Sequence, residues 1–179
     1  MEQVTESSRQ SNSRIAGVLF LISVLTAGAG EVFFHGKMLV ALGLAAVACY
    51  VAVTLLLYGI FKPVQKSLAV LAVSFNLIGL SLEAIQFNPK GVDIALVFHG
   101  IYCFLIGYLA FRSTFVPRIL GALMVVGGVG WLTFVSPSLA ARLSPVNLAL
   151  GLLCEGVLML WLLLARVNSG RWKEEASLE

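Results

Sequence analysis

Hydrophobic positions in this chain fall in long unbroken blocks, not in strict alternation or on one helical face. Apolar runs of about 18 or more residues are the physical signature of helices that cross a bilayer. Six blocks are predicted to span, at about 15–35, 38–61, 67–87, 92–111, 119–135 and 146–167. Turn signals separate them: Pro63 after the second, Asn88-Pro89-Lys90-Gly91 after the third, Pro117 before the fifth, and Ser136-Pro137 with Pro145 before the sixth. Residues 1–14 are polar and read as a flexible tail, and residues 168–179 as a charged tail. The pattern predicts an all-α polytopic integral membrane protein, a six-helix bundle without room for a separate soluble domain.

Composition sharpens this picture. The 179 residues are 59% hydrophobic and 12% charged, against roughly a quarter charged in soluble domains. No basic stripe is present, which excludes nucleic acid as a partner. Charge placement then orients the bundle. Arg9, Arg14, Lys62, Lys66, Arg112, Arg118, Arg166, Arg171 and Lys173 flank one set of span ends, and only Lys37, Lys90 and Arg142 flank the other. Basic residues stay preferentially in the cytoplasm, so both termini are expected inside, in a multi-pass arrangement in the cell (inner, cytoplasmic) membrane. The rival reading is a first block cleaved as a signal peptide near Ala27-Gly28-Ala29-Gly30; its long, partly acidic start argues against it.

Small residues recur at packing intervals: Ala41, Ala45 and Cys49 in the second block, Gly121, Gly127, Gly128 and Gly130 in the fifth, Gly151 in the sixth. Such stripes are expected to mark helix–helix faces. A nucleotide-binding loop around Gly127 is excluded, because no strand precedes it.

The candidate chemistry lies in ionisable groups that a bilayer disfavours by several kcal/mol, roughly 2.5–3.5 on insertion scales. Glu31, Glu83, His99 and Glu155 come from four different blocks, and the rise per residue puts all four in the outer half, Glu155 roughly 13 Å down. Asn76 shares a helix side with Glu83, His99 neighbours Tyr102, and Asn147, Gly151 and Glu155 form a polar-and-small stripe. Turned inward, these faces would line one outward-opening cavity with Glu155 at its floor. Glu155 and His99 are then the candidate catalytic acid and base, and Glu31, Glu83, Asn76, Tyr102 and Asn147 the candidate ligand contacts. Each also has a plain reading: interface carboxylates for Glu31 and Glu83, a packing histidine for His99, an internally satisfied neutral carboxyl for Glu155.

Cys49, Cys103 and Cys154 sit in apolar runs without CxxC spacing and read as packing residues, so no metal site is expected. Haem between His35 and His99 is disfavoured by their different depths. No cofactor is implied.

Several stretches resemble a known family: Arg14-Ile-Ala-Gly17, Glu31-Val-Phe-Phe34, Leu57-Tyr58 before Lys62-Pro63-Val64, Gly107-Tyr108-Leu109-Ala110-Phe111-Arg112-Ser113, Phe115-Val116-Pro117-Arg118-Ile119-Leu120-Gly121, and Glu155-Gly156 before Leu160-Trp161. They are similar to the bacterial membrane-protein family catalogued as domain of unknown function 4386. Two departures stand out: a shorter connection between the first two blocks, and Tyr102 where that family often has a histidine. The resemblance implies a polytopic membrane fold and brings no established activity. Function is therefore read from the polar cluster: binding or turnover of a small lipophilic ligand leads, ahead of a proton-coupled transporter and a non-catalytic module that assembles with a protein partner or a second copy of itself.

Overall fold

The computed structural model describes residues 2–164 and Trp172, apart from the side chains of residues 2–9 and Lys90. It contains seven α-helices among these residues: α1 (Glu2–Phe33), α2 (Lys37–Phe61), α3 (Lys66–Ala84), α4 (Ile94–Arg112), α5 (Arg118–Leu132), α6 (Pro137–Leu143) and α7 (Val146–Leu164). Six stretches are long and apolar enough to cross a membrane: α1 from Gln10 onward, α2, α3, α4, α5 together with the 3₁₀ turn Thr133–Val135, and α7. The chain is thus an all-helical, multi-pass membrane protein. Of the charged tail at 168–179, only Trp172 falls within the described residues; its Nε1 donates to the Ile60 carbonyl at 2.9 Å.

The structure differs from expectation at two places. The helix of the first span starts at Glu2, so most of the 1–14 tail is helical. Glu, Gln and Arg are good helix formers, and the Ser13 hydroxyl donates to the Gln10 carbonyl at 3.0 Å without breaking the turn. The linker before the last span is not extended: after the fifth span ends in a 3₁₀ turn at Thr133–Val135, the linker folds as α6 with Pro137 in its first turn, where proline is tolerated.

Each spanning helix packs antiparallel on its chain neighbour, and α7 closes against α1, so the six form a ring. The α4–α5 seam rests on glycines. Gly107 and Gly121 face each other, as do Gly100 and Gly128, and a Cβ on any of the four would press on the opposing backbone. In lipid, where helices gain little from hydrophobic association, such close approach supplies the packing energy. The Ala41–Ala45 stripe of α2 behaves otherwise: both alanines are exposed on the outer surface and make no such seam.

The ring is filled at one end and hollow at the other. At the end flanked by Arg14, Lys62, Lys66, Arg112 and Arg118, Phe20, Leu57, Phe61, Ile106, Phe115 and Leu158 close the centre as a dry core. Toward the opposite end, small residues and polar groups replace them, and the centre opens.

Candidate functional site

Glu155 sits on the inner face of α7 and is 2% exposed. Four side chains from three other helices point at its carboxylate. Tyr50 Oη of α2 donates to Oε2 at 2.6 Å. Trp131 Nε1 of α5 donates to Oε1 at 2.6 Å, and the Cys103 thiol of α4 lies 3.4 Å from the same oxygen. His99 Nε2 of α4 is 2.8 Å away. This explains how a carboxyl can lie deep in an apolar bundle: both of its oxygens have hydrogen-bond partners, which offsets the desolvation that would otherwise exclude it.

A relay fixes the histidine. The Thr54 hydroxyl donates to the Tyr50 carbonyl at 2.8 Å, one helical turn back on α2. Its oxygen is then free to accept from Asn76 Nδ2 of α3, at 2.6 Å. That contact turns Asn76 Oδ1 toward His99 Nδ1 at 2.9 Å, so Nδ1 carries a hydrogen. Between His99 Nε2 and Glu155 Oε1 there is then room for one proton, shared as imidazolium–carboxylate or as imidazole–carboxylic acid. Tyr50 and Trp131 stand edge-on to the imidazole, with ring centroids at 5.3 and 5.5 Å, so the ring cannot swing away.

Local packing serves this arrangement. A Cβ on Gly151 would overlap the Trp131 indole, so that glycine makes the slot from which Trp131 reaches Glu155. Gly79 likewise lets α3 approach α4 beside Ala95 and His99, which brings Asn76 within reach.

A cavity of about 340 Å³ opens above this cluster, a volume within the range of small-molecule sites. Glu155, His99, Asn76, Tyr50 and Trp131 form its polar floor, and Val24, Ala46, Val47, Leu80, Leu96, Leu148 and Leu152 supply apolar wall. Glu31 and Glu83 lie toward its mouth and line both this cavity and an adjoining one that continues past Gln86, Asn88 and Asp93. Neither carboxylate makes a hydrogen bond or an ion pair with another described residue.

The structure therefore brings Glu31, Glu83, His99, Asn76 and Glu155 to one cavity, and leaves out two other candidates. Tyr102 is fully buried behind His99, with ring centroids 5.7 Å apart, and its hydroxyl finds no partner among the described residues. Asn147 lies at the start of α7, where Nδ2 donates to Thr133 Oγ1 at 3.0 Å and Oδ1 accepts from the Leu148 amide; it ties α7 to the turn before α6. His35 is exposed beyond the end of α1 and does not approach His99. Sequence reasoning missed Tyr50, Trp131, Thr54 and Cys103. For Cys103 a signal existed, since His99 and Cys103 are one helical turn apart and share a face.

Comparison with known proteins adds a similarity to a family model but no activity. No solved structure matches the chain. An uncharacterized protein of Archaeoglobus fulgidus is 27% identical over 90 residues, 46% of this chain and 56% of that protein, so the match spans little more than half of the relative's length. Residues 80–165, from the last turn of α3 through α7, match the family model described as domain of unknown function DUF4386. This stretch, a little under half of the chain, carries Glu83, His99, Trp131 and Glu155, and over it the chain is similar to the DUF4386 family.

Proposed function

We propose that the chain binds a small lipophilic ligand bearing a cationic head, and that the ligand enters the cavity from the side of the membrane opposite the cytoplasm. The observation that carries this reading is the pairing of an apolar wall with two carboxylates at the mouth, Glu31 and Glu83, that make no ion pair among the described residues. An apolar tail would fill the wall, and a positive head would meet carboxylates that form no ion pair with another described residue. The orientation rests on Arg14, Lys62, Lys66, Arg112 and Arg118 at the filled end, which the positive-inside bias keeps in the cytoplasm. On that orientation both termini are inside, and the membrane is the cytoplasmic one.

Octylammonium, with octanoate as the matched anion, tests this reading in protein reconstituted in lipid nanodiscs. Octylammonium is expected to raise the melting temperature saturably, octanoate is not, and Glu31→Gln with Glu83→Gln should remove the effect, since stabilisation scales with occupancy of the folded state. Equal stabilisation by both amphiphiles, or a response unchanged in the double variant, would refute it.

One observation favours a second reading. The His99–Glu155 pair holds one shareable proton at the floor of an accessible cavity, an arrangement suited to proton-coupled transport. The dry core beneath it supplies no onward relay, so ligand binding is preferred.

A further inference from the structure

The floor of the cavity has a second property that does not depend on any lipophilic ligand. His99 Nε2, Cys103 Sγ and Glu155 Oε1 converge from two helices, with separations of 2.8 Å for nitrogen to oxygen, 3.4 Å for sulfur to oxygen and 3.5 Å for sulfur to nitrogen. We propose that these three atoms form a binding site for a borderline-soft divalent cation of the zinc type.

Four features support the assignment. Ordinary zinc–ligand bond lengths in a tetrahedron place ligand atoms about 3.4–3.6 Å apart. Both sulfur edges, at 3.4 and 3.5 Å, already meet that spacing. The nitrogen–oxygen edge, at 2.8 Å, must open by about 0.6 Å as the ion replaces the proton held there. Second, the histidine is oriented as metal-bound histidines are, with its other ring nitrogen donating to an oxygen: Nδ1–H meets Asn76 Oδ1, which leaves Nε2 as the donor atom. Tyr50 and Trp131 hold the carboxylate in the same supporting way.

Third, the charges cancel. A neutral imidazole, a thiolate and a carboxylate around a dication leave no net charge, the state least penalised inside a bilayer. The mixed nitrogen, sulfur and oxygen donor set selects zinc-like ions over magnesium or calcium, which prefer oxygen alone. Fourth, the site is reachable. His99 and Glu155 both line the cavity, whose mouth carries the anionic Glu31 and Glu83. A fourth coordination position would face that cavity, as in open zinc sites.

Cobalt(II) is a suitable probe because its absorbance reports both thiolate ligation and tetrahedral geometry. The full chain in nanodiscs, with no added amphiphile, is expected to bind one cobalt ion with a thiolate charge-transfer band and intense tetrahedral bands. Binding should release two protons per ion, one from the thiol and one from the His99–Glu155 pair. Cys103→Ser should remove the charge-transfer band and weaken binding by at least about tenfold. His99→Gln should abolish binding, and Cys154→Ser should change nothing. No stoichiometric binding, an octahedral oxygen-only spectrum from ions held at Glu31 and Glu83, or a thiolate band that survives Cys103→Ser would each overturn the assignment. Because no amphiphile is present, failure here leaves the octylammonium result untouched, and the reverse also holds.

Discussion

At the scale of single residues, Glu155 is the group on which the site depends, and its substitutions should separate charge from hydrogen bonding. Glu155→Gln keeps the shape and one acceptor oxygen, but it removes the charge that balances His99 and turns one carboxyl oxygen into a donor facing Tyr50. A loss of about 1–3 kcal/mol is expected, with the fold retained. Glu155→Leu leaves Tyr50, Trp131 and His99 buried without an acceptor and should cost more, about 3–5 kcal/mol. Thermal melts in a fixed nanodisc composition check the order; equal losses would mean that the donors find other partners. Tyr102 gives the opposite sign. Its buried hydroxyl has no partner among the described residues, so Tyr102→Phe should be neutral or stabilising, and a clear drop in melting temperature would show that the hydroxyl is bonded after all. The site was legible in part at this scale. Glu31, Glu83, His99 and Glu155 stand out because an ionisable group in an apolar run is costly. Tyr50, Trp131 and Cys103 do not, because aromatic and thiol side chains in such a run look like packing until their partner is known.

At the scale of elements, the spans were legible because bilayer thickness fixes their length, whereas α6 was not: seven residues bounded by Ser136 and Ser144 read equally well as a loop. The Asn147–Gly151–Glu155 stripe also misled. Its three members share a helix side but do three jobs: Asn147 ties down the start of α7, Gly151 makes room for Trp131, and Glu155 enters the cavity. Gly151→Ala tests that division. It should push the indole off Glu155 and destabilise the protein by about 1–3 kcal/mol through overpacking, with a change in Trp131 fluorescence that a remote alanine substitution on α7 would not produce. The end of α3 offers a stabilising change. Gln86 adopts φ 53°, while the Gln86 amide bonds the Glu83 carbonyl and the Phe87 amide bonds the Leu82 carbonyl, both at 2.9 Å. This is the helix-ending pattern in which glycine is favoured at the left-handed position. Gln86→Gly is expected to gain up to about 1 kcal/mol, read as a higher melting temperature; a fall would show that the Gln86 side chain contributes more than its backbone strain costs. The Gly107–Gly121 seam and the Ser113 turn, whose hydroxyl donates to the Ala110 carbonyl at 2.8 Å and accepts from the Val116 amide at 3.3 Å, give a structural reason for the motif stretch at 107–121.

At the scale of the whole molecule, a ring of six helices is closed by aromatic and aliphatic side chains at its basic end and hollow toward the other. Large apolar residues such as Leu25, Leu153 and Leu164 lie exposed on its outside, as a lipid-facing surface requires. On the proposed function, the hollow end faces away from the cytoplasm and admits a cationic amphiphile. Ala27 lines the cavity and is exposed. A cysteine introduced there in a Cys49→Ala background, where the remaining Cys103 and Cys154 are buried, reports on both the orientation and the binding. Intact cells treated with a membrane-impermeant thiol reagent should label Ala27→Cys from outside, and octylammonium, unlike octanoate, should slow that labelling. Labelling only after the cytoplasmic face is opened, or labelling from outside that octylammonium leaves unchanged, would contradict it.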